Sequence, residues 1–128
     1  MKALVDAHTL IWAVDRPEEL GDRAEEVLKD RSNELLLSTG NIWEIGIKVG
    51  IGKLSLSIPY ENWMNQAISE LGLKILPITI ESAAIQAKLP NYHGDPFDSL
   101  MVAQAQAEKA SIISKDDTLD EYKIDRIW

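Results

Sequence analysis

Four carboxylates in this sequence have the types and the spacing to do chemistry together. Asp6 directly follows the apolar run Ala3-Leu4-Val5, and Glu44 lies in the early turns of a helix that follows Leu35-Leu36-Leu37. Asp98 falls in the first turn of a helix opened by Asp95-Pro96, and Asp116, with its neighbour Asp117 as the alternative, comes just after Ser111-Ile112-Ile113. At about 5 Å separation and an effective dielectric of about 20, two such charges repel by roughly 3 kcal/mol, and several pairs would strain a small domain. A divalent cation removes that strain. An all-oxygen donor set suits Mg²⁺, with Mn²⁺ as a substitute, and Mg²⁺ commonly keeps waters and takes phosphate oxygens from a substrate. The chemistry implied is attack of water on a phosphodiester. A bound cation acidifies a water and screens charge developing on the phosphate, so no Ser or Cys nucleophile is required.

The elements that must position these acids follow from periodicity and punctuation. Short continuous apolar runs at Ala3-Leu4-Val5, Leu35-Leu36-Leu37, Lys74 to Ile78 and Ser111-Ile112-Ile113 read as buried strands, with Arg126-Ile127 as an edge strand. Between them lie helical stretches: Thr9 to Val14, an amphipathic run from Glu18 to Asp30, Gly40 to Val49 behind the caps Ser38 and Thr39, Tyr60 to Leu71, Glu81 to Lys88, and Asp95-Pro96 to about Lys109. Alternation of strands and helices at this spacing predicts an α/β fold: a mostly parallel sheet of four to five strands flanked by helices. No repeat, linker or low-complexity tract divides the chain, so residues 1–128 read as one domain. In such a sheet the C-terminal strand ends and the helix starts that follow them share one edge, where ligands bind. All four acids fall there.

Each acid also has a structural reading. Asp6 is a good cap for the helix after it, Glu44 pairs with Lys48 at i,i+4, and Asp116-Asp117 has the composition of a turn. Asp95-Pro96 is a cap followed by a first helical residue, which leaves Asp98 at the third helical position, three and four residues before the apolar Met101 and Val102. That spacing tilts Asp98 toward the buried face, where an acid needs a reason. Lys48, Lys53 and Lys115 adjoin the acidic edge and are candidate contacts to a nucleic-acid backbone. His8 and His93 are candidates for contact with phosphate, whereas Trp12, Trp43, Trp63 and Trp128 interrupt apolar stretches and read as core or interface.

Composition narrows the classes further. With 13 Lys and Arg against 21 Asp and Glu, the chain of 128 residues carries a formal charge of −8, which argues against nucleic-acid binding driven by global charge but not against a local basic rim. The absence of Cys excludes disulfides, thiol catalysis and thiolate-bound metals. No apolar run reaches the roughly 18–20 residues of a membrane span, and no signal-peptide pattern opens the sequence, so a cytoplasmic location is expected.

Taken in order, Leu4-Val5-Asp6-Ala7-His8-Thr9-Leu10-Ile11-Trp12, Ser38 through Trp43-Glu44-Ile45, Asp95-Pro96-Phe97-Asp98 with Ala103-Gln104-Ala105, and Ser114-Lys115-Asp116 before Tyr122 resemble the PIN-domain ribonucleases, closest to the VapC-type toxins of toxin–antitoxin pairs. The resemblance spans essentially the whole chain. It implies a Rossmann-like PIN fold, Mg²⁺- or Mn²⁺-dependent endonucleolytic cleavage of RNA, a homodimer, and inhibition by a cognate antitoxin. By position, Asp6, Glu44, Asp98 and Asp116 match the acidic quartet of that family. Two departures bear on substrate contacts: Ser99 stands where many relatives carry Arg, and Ala7 where Thr or Ser is frequent. Related architectures fit less well, because haloacid-dehalogenase-like phosphatases need an Asp where His8 stands, and receiver domains an acidic pair after the first strand. The rival reading is a non-catalytic module of the same fold that holds RNA or an antitoxin without cutting. An antitoxin tail is expected in a groove between the helices near Leu20 to Leu28 and Trp63 to Leu71.

Overall fold

The computed structural model describes residues 1–92 and 94–128; His93 lies outside the described residues. Five strands, β1 (Lys2–Val5), β2 (Glu34–Ser38), β3 (Lys74–Leu76), β4 (Ser111–Ile113) and β5 (Arg126–Ile127), form one sheet in the order β3-β2-β1-β4-β5. Every neighbouring pair is parallel, with Leu4 beside Leu36 on one side and Ile112 on the other. Six α-helices connect them: α1 (Ala7–Asp15), α2 (Asp22–Lys29), α3 (Thr39–Gly50), α4 (Tyr60–Leu71), α5 (Ile80–Lys88) and α6 (Pro96–Glu108). Strand alternation splits the core in two. Ala3, Val5, Leu35, Leu37 and Ile113 pack with Leu10 and Ile11 of α1, Val27 and Leu28 of α2, and Trp63 and Met64 of α4. Leu4, Leu36 and Ile112 point the other way, onto Met101, Val102 and Ala105 of α6. Both faces of β1, β2 and β4 are covered, which is why these strands read as unbroken apolar runs, whereas β3, read as buried, lies at the sheet edge with Lys74 and Ile75 exposed.

Two expected elements differ. The run from Glu18 to Asp30 is not one helix: a 3₁₀ turn, Pro17–Glu19, precedes α2, and Leu20 and Gly21 separate them. A Cβ at Gly21 would lie 2.7 Å from the Trp128 indole and 2.8 Å from the Trp128 backbone oxygen, and that oxygen accepts from the amides of Arg23 and Ala24, both at 3.2 Å. The final residue of the chain thus plugs the orphan amides of α2, a tertiary contact that local periodicity does not carry. Strand β3 ends at Leu76 rather than Ile78, since Pro77 has no amide with which to continue the ladder.

Candidate active site

The first connection in the fold is a tight one. A single residue, Asp6, joins β1 to α1, its amide donating to the carbonyl of Ile113 at 3.2 Å while its Oδ1 accepts from the Thr9 amide at 2.7 Å. Thr9, fully buried, donates its hydroxyl to the same Ile113 carbonyl at 3.0 Å. The residue that caps α1 is therefore locked over the C-terminal end of β4. Burial pushes the Asp6 carboxyl above the usual carboxylate range, although hydrogen bonds from Ser114 and Thr9 oppose the shift.

Glu44 projects from the second turn of α3, which Ser38 caps through its Oγ and the Gly40 amide at 3.0 Å. Gly40 lets α3 approach α6 closely, since a Cβ there would meet the Leu100 side chain at 2.6 Å. Only 5% exposed, Glu44 accepts from Lys48 Nζ at 2.6 Å and from Asn41 Nδ2 at 3.2 Å. The pairing with Lys48 expected from i,i+4 spacing is present, yet Glu44 is buried rather than solvated.

On α6, Asp95 caps the helix by accepting from the amides of Phe97 at 2.8 Å and Asp98 at 3.3 Å, with Pro96 first in the helix. The carboxyl of Asp98 accepts no hydrogen bond among the described residues. Desolvation, followed by the charges of Asp95, Asp116, Glu44 and Asp6, pushes its pKa up to about 7. Asp116, exposed after β4, caps a 3₁₀ turn (Asp117–Glu121) and accepts from the Thr118 amide at 3.0 Å and hydroxyl at 2.6 Å.

One cleft of about 210 Å³ is lined by Asp6, Glu44, Asp98 and Asp116 together with Ala7, His8, Asn41, Lys48 and Asp95. Asp117 is not among its lining residues, and neither is Lys53; Lys115 lines an adjoining pocket. Asn41 and the second role of Asp95 escaped the sequence reading. Both left a signal, since each stands three residues before a cleft acid on its own helix and so shares that acid's face.

Does the cleft suit a divalent cation? Among the described residues no three acidic or imidazole side chains are grouped so as to hold one ion unaided. Mg²⁺, however, is usually held by one or two carboxylates, with waters and phosphate oxygens completing the shell. The donors are all oxygen, and the buried Oδ1 of Asn41 has no hydrogen-bond partner among the described residues. The Asp98 carboxyl, crowded by four other acids, is stabilised in its charged form by any added cation. The residues present fit the ion.

A parallel α/β sheet with an acidic cleft at the C-terminal ends of its strands defines the structural class, and sequence comparison defines the family. The PIN domain family model matches residues 3–125, so the chain belongs to the PIN-domain family. Among curated proteins, none matches it in sequence. Among solved structures it is similar to a chain of VapBC2 from Rickettsia felis bound to a DNA fragment from their promoter, with 14% identity over 100% of both chains and a TM-score of 0.73. It is also similar to VapBC-1 from nontypeable Haemophilus influenzae (17% identity, 98% of this chain and 96% of that one, TM-score 0.69). FitAcB from Neisseria gonorrhoeae shows the same fold at 20% identity, 97% and 95% coverage and a TM-score of 0.63.

Proposed function

We propose that this chain is a divalent-metal-dependent endoribonuclease, the toxin of a toxin–antitoxin pair, that cleaves RNA phosphodiester bonds with water. The observation that carries the reading is the meeting of Asp6, Glu44, Asp98 and Asp116, from four separate segments of the chain, in one cleft whose desolvation and crowding push the Asp98 pKa up to about 7. Asp6 and Asp98 are the best placed to hold Mg²⁺ or Mn²⁺, with Glu44, Asp116 and the Asn41 Oδ1 completing the oxygen surround. When bound, the cation supplies positive charge to the phosphate and lowers the pKa of water. The chain itself does the rest. Capping of α1 and α6 fixes the backbone beneath Asp6 and Asp98, Lys48 neutralises Glu44 and orients it, and the buried walls keep the charges in low dielectric, where they act strongly.

Partners fit the same reading. Ala13, Pro17, Leu20, Leu28 and Leu71 line a groove of about 130 Å³ between α1, α2 and α4, suited to apolar side chains of an antitoxin tail. Trp63, expected in that groove, is instead 1% exposed in the core. Trp43 and Ile47 on α3, with Ile51 at its C-terminal cap, form an exposed apolar stripe, which supports a homodimer. No helix among the described residues is long and apolar enough to cross a membrane.

The test is incubation of the pure protein with total RNA and with tRNA in Mg²⁺, Mn²⁺ or EDTA, followed by mapping of the ends. Cleavage that needs the metal and leaves 5′-phosphates is expected, because attack by water needs no 2′-hydroxyl. Cleavage in EDTA, or 2′,3′-cyclic ends, would sink the mechanism; metal-dependent RNA binding without cleavage would favour the non-catalytic module.

A further inference from the structure

Next to the acidic cleft lies a second, larger pocket of a different chemical character. Of about 360 Å³, it is lined by Asp6, His8, Trp12, Lys115 and Asp116, so it shares two acids with the cleft and opens directly from it. Its volume falls at the low end of the roughly 300–1,000 Å³ of small-ligand pockets. Two of its five lining side chains, His8 and Trp12, carry rings. His8 and Trp12, one turn apart on α1, lie with ring centroids 5.8 Å apart, and the Trp128 ring also stands 5.8 Å from Trp12. Trp128 is in turn seated on Gly21, so the Trp12 ring is braced rather than loose. Over it sits Lys115, its Nζ 5.7 Å from the ring centroid.

We infer that this pocket takes the base of an unpaired nucleotide flanking the scissile phosphate, stacked on Trp12, with Lys115 paired to that nucleotide's phosphate. The inference rests on the ribonuclease reading of the adjoining cleft. Single-stranded nucleic acid is held by such a combination, aromatic faces for bases and a cation tracking the backbone, and stacking is indifferent to base identity. In the free protein Lys115 occupies the place a base would take. An exposed cation–π contact is weaker than base stacking, and Lys115 is an exposed, flexible side chain, so a base displaces it and frees its ammonium for phosphate. Lys48 cannot serve in its stead, because it is committed to Glu44.

The experiment measures binding of short single-stranded RNA in Mn²⁺ to the protein carrying Asp98→Asn, which is expected to suppress turnover. Oligonucleotides spanning the mapped cut carry a single abasic ribose at each flanking position in turn. Removing one base should weaken binding by about 5- to 100-fold, the scale of one stacked base. Trp12→Leu should weaken the intact oligonucleotide by a similar factor and abolish the penalty at that one position, whereas Trp12→Phe keeps most of both. Loss of the position-specific penalty separates stacking from general damage to the fold, and thermal unfolding of both variants controls for it. If the parent binds and cleaves RNA yet no abasic position matters, or if the penalty survives in Trp12→Leu, the pocket does not hold a base and the ribonuclease reading stands without it. Loss confined to antitoxin affinity in Trp12→Leu would assign the pocket to a protein ligand instead. A parent that neither binds nor cleaves RNA overturns both.

Discussion

Asp98 and Asp95 stand three residues apart and divide the labour of a helix start. Asp98→Asn is expected to lower turnover by more than about 100-fold, since even groups that only support metal ligands cost about 10- to 100-fold when removed. Asp95→Asn keeps a capping oxygen and should cost less activity, while Asp95→Ala should also lower stability by about 1 kcal/mol; equal losses of activity in Asp98→Asn and Asp95→Asn would refute the division. The raised pKa of Asp98, about 7, has a stability consequence. A carboxyl that binds its proton more tightly when folded destabilises the fold at pH above that value, and the penalty fades as pH falls toward the ordinary carboxylate range. Metal-free protein should therefore gain stability from pH 7.5 to about 5.5, and Asp98→Asn should flatten that gain. Mn²⁺ at 100 times its dissociation constant should restore about 2.7 kcal/mol at pH 7.5 in the parent and less in the variant, as read by thermal unfolding. At this scale the sequence was informative because strand ends and helix starts fix where a residue sits. It could not show that Asp6 serves at once as cap and cleft wall, because one carboxylate has two oxygens and only the fold decides where the second one faces.

Helices α1, α3 and α6 and the strands before α1 and α3 followed from apolar periodicity and caps, to within about two residues. The split at Gly21 did not, because its cause is Trp128, more than a hundred residues away in sequence. Gly21→Ala drives a methyl into the Trp128 ring and backbone oxygen. A loss of roughly 1–3 kcal/mol is expected, as for other overpacked sites, with a change in the near-ultraviolet circular dichroism of the tryptophans. A second long tie is Asp15 at the end of α1, which accepts from the amide and hydroxyl of Ser57 at 3.1 and 2.7 Å and from the buried Trp63 indole at 3.0 Å. Although partial burial acts to raise it, these bonds hold its carboxyl below the ordinary value. Its stabilisation is thus present above the unfolded carboxylate pKa and lost as pH falls through the lower folded one. Asp15→Ala should cost about 1–3 kcal/mol, most of it from leaving the Trp63 N–H buried and unpaired.

At the scale of the whole molecule, a formal charge of −8 means that the proposed ribonuclease would hold RNA through few cations. For single strands, log affinity falls with log salt by about 0.7 per phosphate neutralised, so the slope should be shallow and Lys115→Gln should reduce it by about 0.7. Ile47→Lys, placing a charge in the middle of the α3 stripe, should yield monomers by light scattering. The parallel α/β class was legible because buried parallel strands alternate with helices at a spacing few other folds use; the strand order, and hence which acids meet, rested on that topology rather than on any local segment. The same topology governs timing. The Asp6 amide and the Thr9 hydroxyl both bond the Ile113 carbonyl, so the cleft is completed only when β1 and β4, far apart in sequence, pair. If the chain is the toxin proposed above, it stays harmless on the ribosome until β4 and Asp116 have emerged, and pairing of such distant segments is among the slower steps of folding. On that proposal an interval separates synthesis from toxicity, and an antitoxin docking in the proposed groove beside α1 and α2, which are made first, has that interval in which to act.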